Sequence, residues 1–264
     1  MQKTTDWIRL WRELVEVQAR RRAAKRRKQR QDDAWQAKAR SFDARVRERW
    51  AQPDSSRQAV LAALQARPES SVLDIGAGTG AWTCRLARHA RLVTAVDPSP
   101  AMIEVMEENL AAKGIQNVQI VQGAWPEAKV AVHDFSLCSH AMYGYPDLPA
   151  FLRRMMEVTR QTCFLVMRAP TADGILAKAA MGVWGQPHDS PNFQVAYNAM
   201  LQMGLLPNVL AEDTGLWGGR SYDSLEDALA EVKRRLALLD AEDSAHDAFL
   251  RGLLDRRLIR QDGQ

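Results

Sequence analysis

Cysteine is scarce and scattered in this chain. Cys84, Cys138 and Cys163 stand at no Cys-x-x-Cys spacing, which excludes that type of metal or redox motif and points to a reducing compartment. They form no thiol cluster for a soft metal, and no metal site is expected. Long apolar runs are missing too: no stretch approaches the roughly 18 uncharged apolar residues of a membrane-spanning helix. The N-terminus lacks the apolar centre of a secretory signal. Together these absences lead to the expectation of a cytoplasmic protein without a transmembrane segment. There is no internal repeat, and one basic run is the only biased tract. What is present is ample core material, 46% hydrophobic residues in a chain of 264, longer than one average domain and short for two.

Charge is unevenly placed. The net +4 conceals sixteen Lys and Arg against seven Asp and Glu in residues 1–50, whereas the remainder is acidic. The basic character therefore belongs to an appendage. Its first part carries Trp7, Leu10, Trp11, Leu14 and Val17 on one helical stripe, followed by a run basic on all sides over residues 18–30. Three readings of the run stay open: a solvated helix face, an RNA-phosphate contact, or an anionic membrane contact. The Trp stripe packs either on the protein itself or on a second copy in a homodimer. Asp32 and Asp33 are candidate caps for a helix with Trp35, Ala39, Phe42, Val46 and Trp50 on its stripe, which Pro53 ends.

The most informative segment is Val72-Leu-Asp-Ile-Gly-Ala-Gly-Thr-Gly80. A short apolar run ends in glycines alternating with small residues, as where a buried parallel strand turns tightly into a helix. Gly76, Gly78 and Gly80 clear side chains from where a ligand would lie against backbone N–H groups. Gly76, Gly78 and Ala81 also fit the dinucleotide fingerprint G-x-G-x-x-[G/A]. Asp74 argues against that alternative, since a carboxylate there would face pyrophosphate. A glycine-rich turn without a ligand is the third reading.

With Asp74 two residues before the first glycine, the segment resembles motif I of the class I S-adenosylmethionine-dependent methyltransferases. The resemblance covers roughly residues 35–215 and is specific in motif I and Asp97. It implies S-adenosyl-L-methionine as cofactor and S-adenosyl-L-homocysteine as product. Asp97 closes the second candidate strand, 21 positions after Gly76, where a carboxylate can accept both ribose hydroxyls; the alternative is a cap for the next helix. The resemblance extends the cofactor set to Ala77, Pro98, Met102, Gly123, Ala124, Trp125 and Ser139. Many family members carry an acidic residue where this chain has Ala124, leaving adenine to backbone groups and Trp125, unless Trp125 is core. The loop Ser139-His-Ala-Met-Tyr-Gly-Tyr145 borders the transferred methyl in this family. It lacks both the Asn/Asp-Pro-Pro-aromatic motif of base-amine enzymes and the Pro-Cys nucleophile of cytosine C5 enzymes. His140 and Tyr143 are the catalytic candidates, each with packing as its alternative. Tyr143 and Tyr145 either line the acceptor pocket or pack the loop, and the His188-Asp189 pair is a second polar cluster with a structural alternative.

Alternation from Ser71 onward predicts an α/β, Rossmann-like, mostly parallel sheet with helices on both faces. Strands are expected at Val72–Ile75, Leu92–Val96, Val118–Val121, Phe135–Cys138 and Cys163–Met167. Helices are expected at Ala81–His89, Ala101–Lys113 and Leu148–Arg160. A strand-like piece follows at Asn208–Ala211, with a helix capped at Ser190 and ending near Gly204 before it. Ser224-Leu-Glu-Asp227 starts an amphipathic helix, and a last helix carries Phe249, Leu250, Leu253 and Leu254. The family's usual seventh strand would have to come from near Arg257–Arg260. The expected organisation is a basic helical extension over 1–56 and a cofactor-binding domain over 57–215 with a lid at about 171–207. A C-terminal helical segment follows over 216–264. The function expected is methyl transfer to a small-molecule acceptor. RNA or ribonucleoprotein methylation through residues 18–30 and non-catalytic cofactor binding are the alternatives.

Overall fold

The structure is a computed structural model, and it describes residues 5–26, 38–170, 174–211, 221–238 and 241–257. Three helices precede the sheet: α1 (Trp7–Arg26), α2 (Ala39–Trp50) and α3 (Ser55–Gln65). Then strands and helices alternate as β1 (Ser71–Ile75), α4 (Ala81–Leu86), β2 (Leu92–Asp97), α5 (Pro100–Ala112) and β3 (Val118–Gln122). They continue as β4 (His133–Ser139), α6 (Leu148–Glu157) and β5 (Thr159–Val166). Four helices follow: α7 (Ile175–Trp184), α8 (Phe193–Gln202), α9 (Leu225–Arg235) and α10 (Asp247–Asp255). All strand pairings are parallel in the order β3-β2-β1-β4-β5. No described helix is long and apolar enough to cross a membrane.

The strands bury both faces because side chains alternate across a sheet. Leu73, Ile75 and Cys138 join a core with α1, α6 and α8, while Val72, Val93, Phe135 and Leu137 join one with α3 and α4. Helix starts are set by polar side chains that satisfy otherwise orphaned N–H groups. Asp54 caps α3, Ser99 caps α5, Asp147 caps α6 and Ser224 caps α9.

The Trp stripe of α1 is used within the chain. Trp11 is fully buried and its Nε1–H donates to the Tyr145 carbonyl at 2.9 Å, while Trp7 meets the His188 ring edge-on. Trp11 and Leu14 are thus buried within the chain, while Trp7, Leu10 and Val17 are half-buried. Residues 27–30 of the basic run, and with them Asp32, Asp33 and Trp35, lie outside the described residues.

Several boundaries differ from the sequence expectation. α4 stops at Leu86 and α6 at Glu157, while β5 begins at Thr159, four residues early. The extra strand residues, Thr-Arg-Gln-Thr, are mostly exposed on an edge strand, where polar residues are common. Asn192, not Ser190, caps α8, accepting the Val195 N–H at 3.2 Å. Residues 208–211 form no strand; Leu206, Val209 and Leu210 are exposed there. Arg257 is in a turn, and the rest of the expected last strand lies outside the described residues. Of the expected lid, residues 171–173 lie outside the described residues, and the described part divides its packing: Ala179 and Ala180 of α7 bury against α9 and α10, whereas α8 joins α1 on the sheet.

Candidate active site

Parallel strands bring Ile75, Asp97, Gln122, Ser139 and Val166 to one end of the sheet. The glycine loop leaves β1 there. Gly76 and Gly78 have φ of +71° and +57°, a region costly for residues with a Cβ. The Gly76 and Ala77 N–H groups donate to the Val96 carbonyl at 2.8 and 3.0 Å, stitching the loop to β2. A Cβ at Gly76 would collide with that of Ala141, so the loop after β4 lies directly against the glycine loop.

Two buried carboxylates stand at this end. Asp74 projects to the α4 face and accepts the Thr83 hydroxyl at 2.6 Å. Burial raises its pKa to about 7; the Thr83 bond opposes the rise and the Asp97 charge adds to it. Asp97 accepts the Gly78 N–H at 2.8 Å and the Ser99 N–H at 2.9 Å, one on each oxygen. Asp97 thereby ties the glycine loop and the start of α5 to the end of β2. Beside them, Thr79 Oγ1 is buried without a hydrogen-bond partner in the described structure. An orphaned hydroxyl within a glycine loop fits a site that a polar ligand completes.

The other expected cofactor residues are variously placed. Ser99 Oγ accepts the Met102 N–H at 3.3 Å, and Met102 is buried while Pro98 is exposed. The Gly123 N–H donates to the Asp97 carbonyl at 3.1 Å, Ala124 is exposed, and Ser139 is half-buried. Trp125 corrects the adenine-packing expectation. Its indole lies in the main core, edge-on to Phe151, and its Nε1–H donates to the Phe151 carbonyl at 3.3 Å.

At the β4 end, His140 adopts φ +57°, unusual for a residue with a side chain, and its N–H donates to the Val166 carbonyl at 3.0 Å. His140 Nδ1 lies 3.1 Å from the Tyr143 hydroxyl, which accepts the Arg168 N–H at 2.5 Å. His140 is exposed at the surface, and partial desolvation, then Arg49 and Arg168, lower its pKa, with Asp54 opposing. Burial raises the Tyr143 phenol to about 12 and the Cys138 thiol to about 12, so neither supplies an anion near neutral pH. His188 belongs to the α1–α8 junction: it is buried, with Nδ1 3.4 Å from Asn192 Nδ2.

Two groups escaped the sequence reading, and a third, Phe42, is legible there only as part of a helix stripe. Thr83 lies nine residues past Asp74 and carries no motif of its own. Arg168 stands two residues beyond the end of β5, and that position was its only signal. Phe42 of α2 comes within 3.8 Å of where a Cβ on Gly78 would be, so α2 covers the glycine loop. Asn109 fastens that cover, donating to Asp43 at 3.0 Å and the Thr79 carbonyl at 2.9 Å while accepting from Arg47 at 2.6 Å. The described residues contain no cluster of three or more His, Cys, Asp or Glu suited to a metal ion.

Residues 72–162 match the family model for a methyltransferase domain. A probable ribosomal RNA small subunit methyltransferase A of Methanosarcina mazei is 41% identical over 64 residues, 24% of this chain and 23% of that protein. An uncharacterized protein of Haemophilus influenzae is 24% identical over 196 residues, 72% of this chain and 71% of its own. The uncharacterized methyltransferase YcgJ of Bacillus subtilis is 28% identical over 99 residues, 37% of this chain and 39% of that protein. The YcgJ crystal structure superposes with a TM-score of 0.50 at 20% identity, covering 80% of this chain and 92% of that one, which shows a shared fold. The chain thus spans well under two thirds of the Methanosarcina relative's length.

Proposed function

We propose that this protein, whose residues 72–162 form a class I S-adenosylmethionine-dependent methyltransferase domain, transfers a methyl group to a small-molecule acceptor. The observation that carries the site assignment is Asp97. It closes β2 and holds the glycine loop through Gly78, with Asp74 and the orphaned Thr79 hydroxyl beside it.

In this reading Asp97 receives the ribose hydroxyls of S-adenosyl-L-methionine, while Gly76 to Gly80 present backbone to the rest. Asp74 faces the cationic end. Gly123 and Ala124 border the base through backbone groups, with Pro98, Met102 and Ser139 completing the wall. When bound, the cofactor supplies a methyl group already activated on a sulfonium. The chain's own contribution is positioning, which can lower a barrier by roughly 7–11 kcal/mol in favourable cases. A general base is needed only for an acceptor that must lose a proton. His140 and Tyr143 border the acceptor side.

A small acceptor is favoured by enclosure. α2 covers the glycine loop through Phe42, and Trp11 of α1 pins the loop at Tyr145. The short Methanosarcina match supports the second reading, methylation of RNA through residues 18–30. Transfer of labelled methyl from S-adenosylmethionine into a deproteinised, fractionated cell extract separates the two. Label in the small-molecule fraction is the expected result. Label confined to an RNase-sensitive polymer would establish the second reading, and cofactor binding with no transfer would make the protein a non-catalytic binder.

A further inference from the structure

Arg168 carries a charge that the described protein does not neutralise. It is half-buried at the end of β5, and its Nη2 donates to Ser190 Oγ and, at 3.4 Å, to the Pro191 carbonyl. Both partners are neutral. No described carboxylate lies within ion-pair distance of it; Asp189 joins the network through Ser190 Oγ at 3.1 Å. The Nε and Nη1 donors have no hydrogen-bond partner among the described residues. A half-buried guanidinium that lacks an anion pays desolvation without compensation, and its fork matches a carboxylate or phosphate.

The neighbouring hydrogen bonds place a second polar group. The Tyr143 oxygen accepts the Arg168 N–H and lies 3.1 Å from His140 Nδ1. With Nδ1 facing Tyr143, Nε2 is the ring nitrogen that His140 can turn to a ligand. The Arg168 guanidinium carbon lies 6.0 Å from the Tyr143 ring centroid, and the His140 and Tyr143 ring centroids are also 6.0 Å apart. Tyr143 thus ties both groups together beside Ala141, which abuts Gly76 of the cofactor loop. Other charges around His140 are Arg49, which adds to the positive field, and Asp54, which opposes it.

We infer that the methyl acceptor carries an anionic group, a carboxylate or phosphate, held by the Arg168 guanidinium with His140 Nε2 as a second polar contact. Arg168 is then a specificity-determining residue. The inference rests on the small-molecule reading above and narrows it to anionic metabolites.

The test splits the small-molecule fraction of the deproteinised extract, freed of nucleic acid by ultrafiltration, on an anion exchanger and offers each pool to the full-length protein with methyl-labelled S-adenosylmethionine. Label should enter the retained, anionic pool. Arg168→Gln should raise the apparent KM for that pool at least tenfold with a smaller change in kcat, while Arg168→Lys, which keeps the charge, loses less. S-adenosylhomocysteine affinity, measured by calorimetry, should stay within twofold in both variants, which also shows that they fold. Label in the unretained pool would overturn the inference and leave the small-molecule reading standing. Equal losses in the Gln and Lys variants would also overturn it, assigning Arg168 to holding the Ser190–Pro191 turn. If neither pool is labelled while S-adenosylhomocysteine binds, the small-molecule reading itself fails, and this inference with it.

Discussion

Replacing Asp74 by Asn should change how stability depends on pH. Burial holds the folded-state pKa at about 7, against about 3.9 for an unfolded Asp. As pH rises from about 4 the unfolded chain loses this proton while the folded chain keeps it, so folding weakens until the folded pKa is passed. The stability present below pH 4 is lost through that window, about 4 kcal/mol in all for three units at about 1.36 kcal/mol each. Between pH 5 and pH 8 the loss is about 2.5 kcal/mol. Asn can accept the Thr83 hydroxyl as Asp does, but it has no charge to expose. Urea unfolding without cofactor at pH 5 and pH 8 measures the difference. Relative to wild type, Asp74→Asn should gain about 2.5 kcal/mol on going from pH 5 to pH 8. Comparison with wild type cancels other titrations, such as that of His133, whose pKa burial lowers. A variant that tracks wild type at both pH values would refute the reasoning that Asp74 is buried as a neutral acid.

Other outcomes follow from the same groups. If Asp74 faces the cationic end of the cofactor, S-adenosylhomocysteine binding at pH 6 should release a proton, because a cation lowers a carboxyl pKa. Calorimetry in buffers of different ionisation enthalpy would show it, and Asp74→Asn should abolish it; proton uptake would contradict the placement. Asn109→Ala removes bonds to Asp43, Arg47 and the Thr79 carbonyl and should cost about 2 kcal/mol of stability. It should also speed proteolysis within residues 38–50; a change under about 0.5 kcal/mol would mean that α2 is held by other contacts.

The parts legible in the sequence were those where one local pattern decides the structure. Motif I could be read because a buried strand, a tight turn and a helix start each leave a mark, and the β2 end could be read from its spacing. Edge-strand residues Thr159–Thr162 could not, since their polar, exposed pattern is that of a loop or helix end. Asn208–Ala211 misled in the opposite direction: an apolar sequence resembles a strand, but a strand needs a pairing partner. The capping of α8 was offset by two residues because Ser190 and Asn192 are both good caps, and tertiary packing selects between them. Within the site, Asp74 and Asp97 were visible as strand-end acids. The Tyr143 link between His140 and Arg168 joins residues up to 28 apart through a positive-φ turn at a non-glycine residue. No local signal carries that. Trp125 shows the same limit, since composition cannot say which side of a sheet an indole enters.

The most direct measurement is the affinity of S-adenosylhomocysteine for wild type and Asp97→Ala by calorimetry. The account predicts one site in the wild type and a loss of roughly 1.5–3 kcal/mol in the variant, about ten- to a hundredfold. Equal affinity in the two proteins, with the variant folded, would contradict the assignment of the β2 carboxylate and with it the proposed cofactor site.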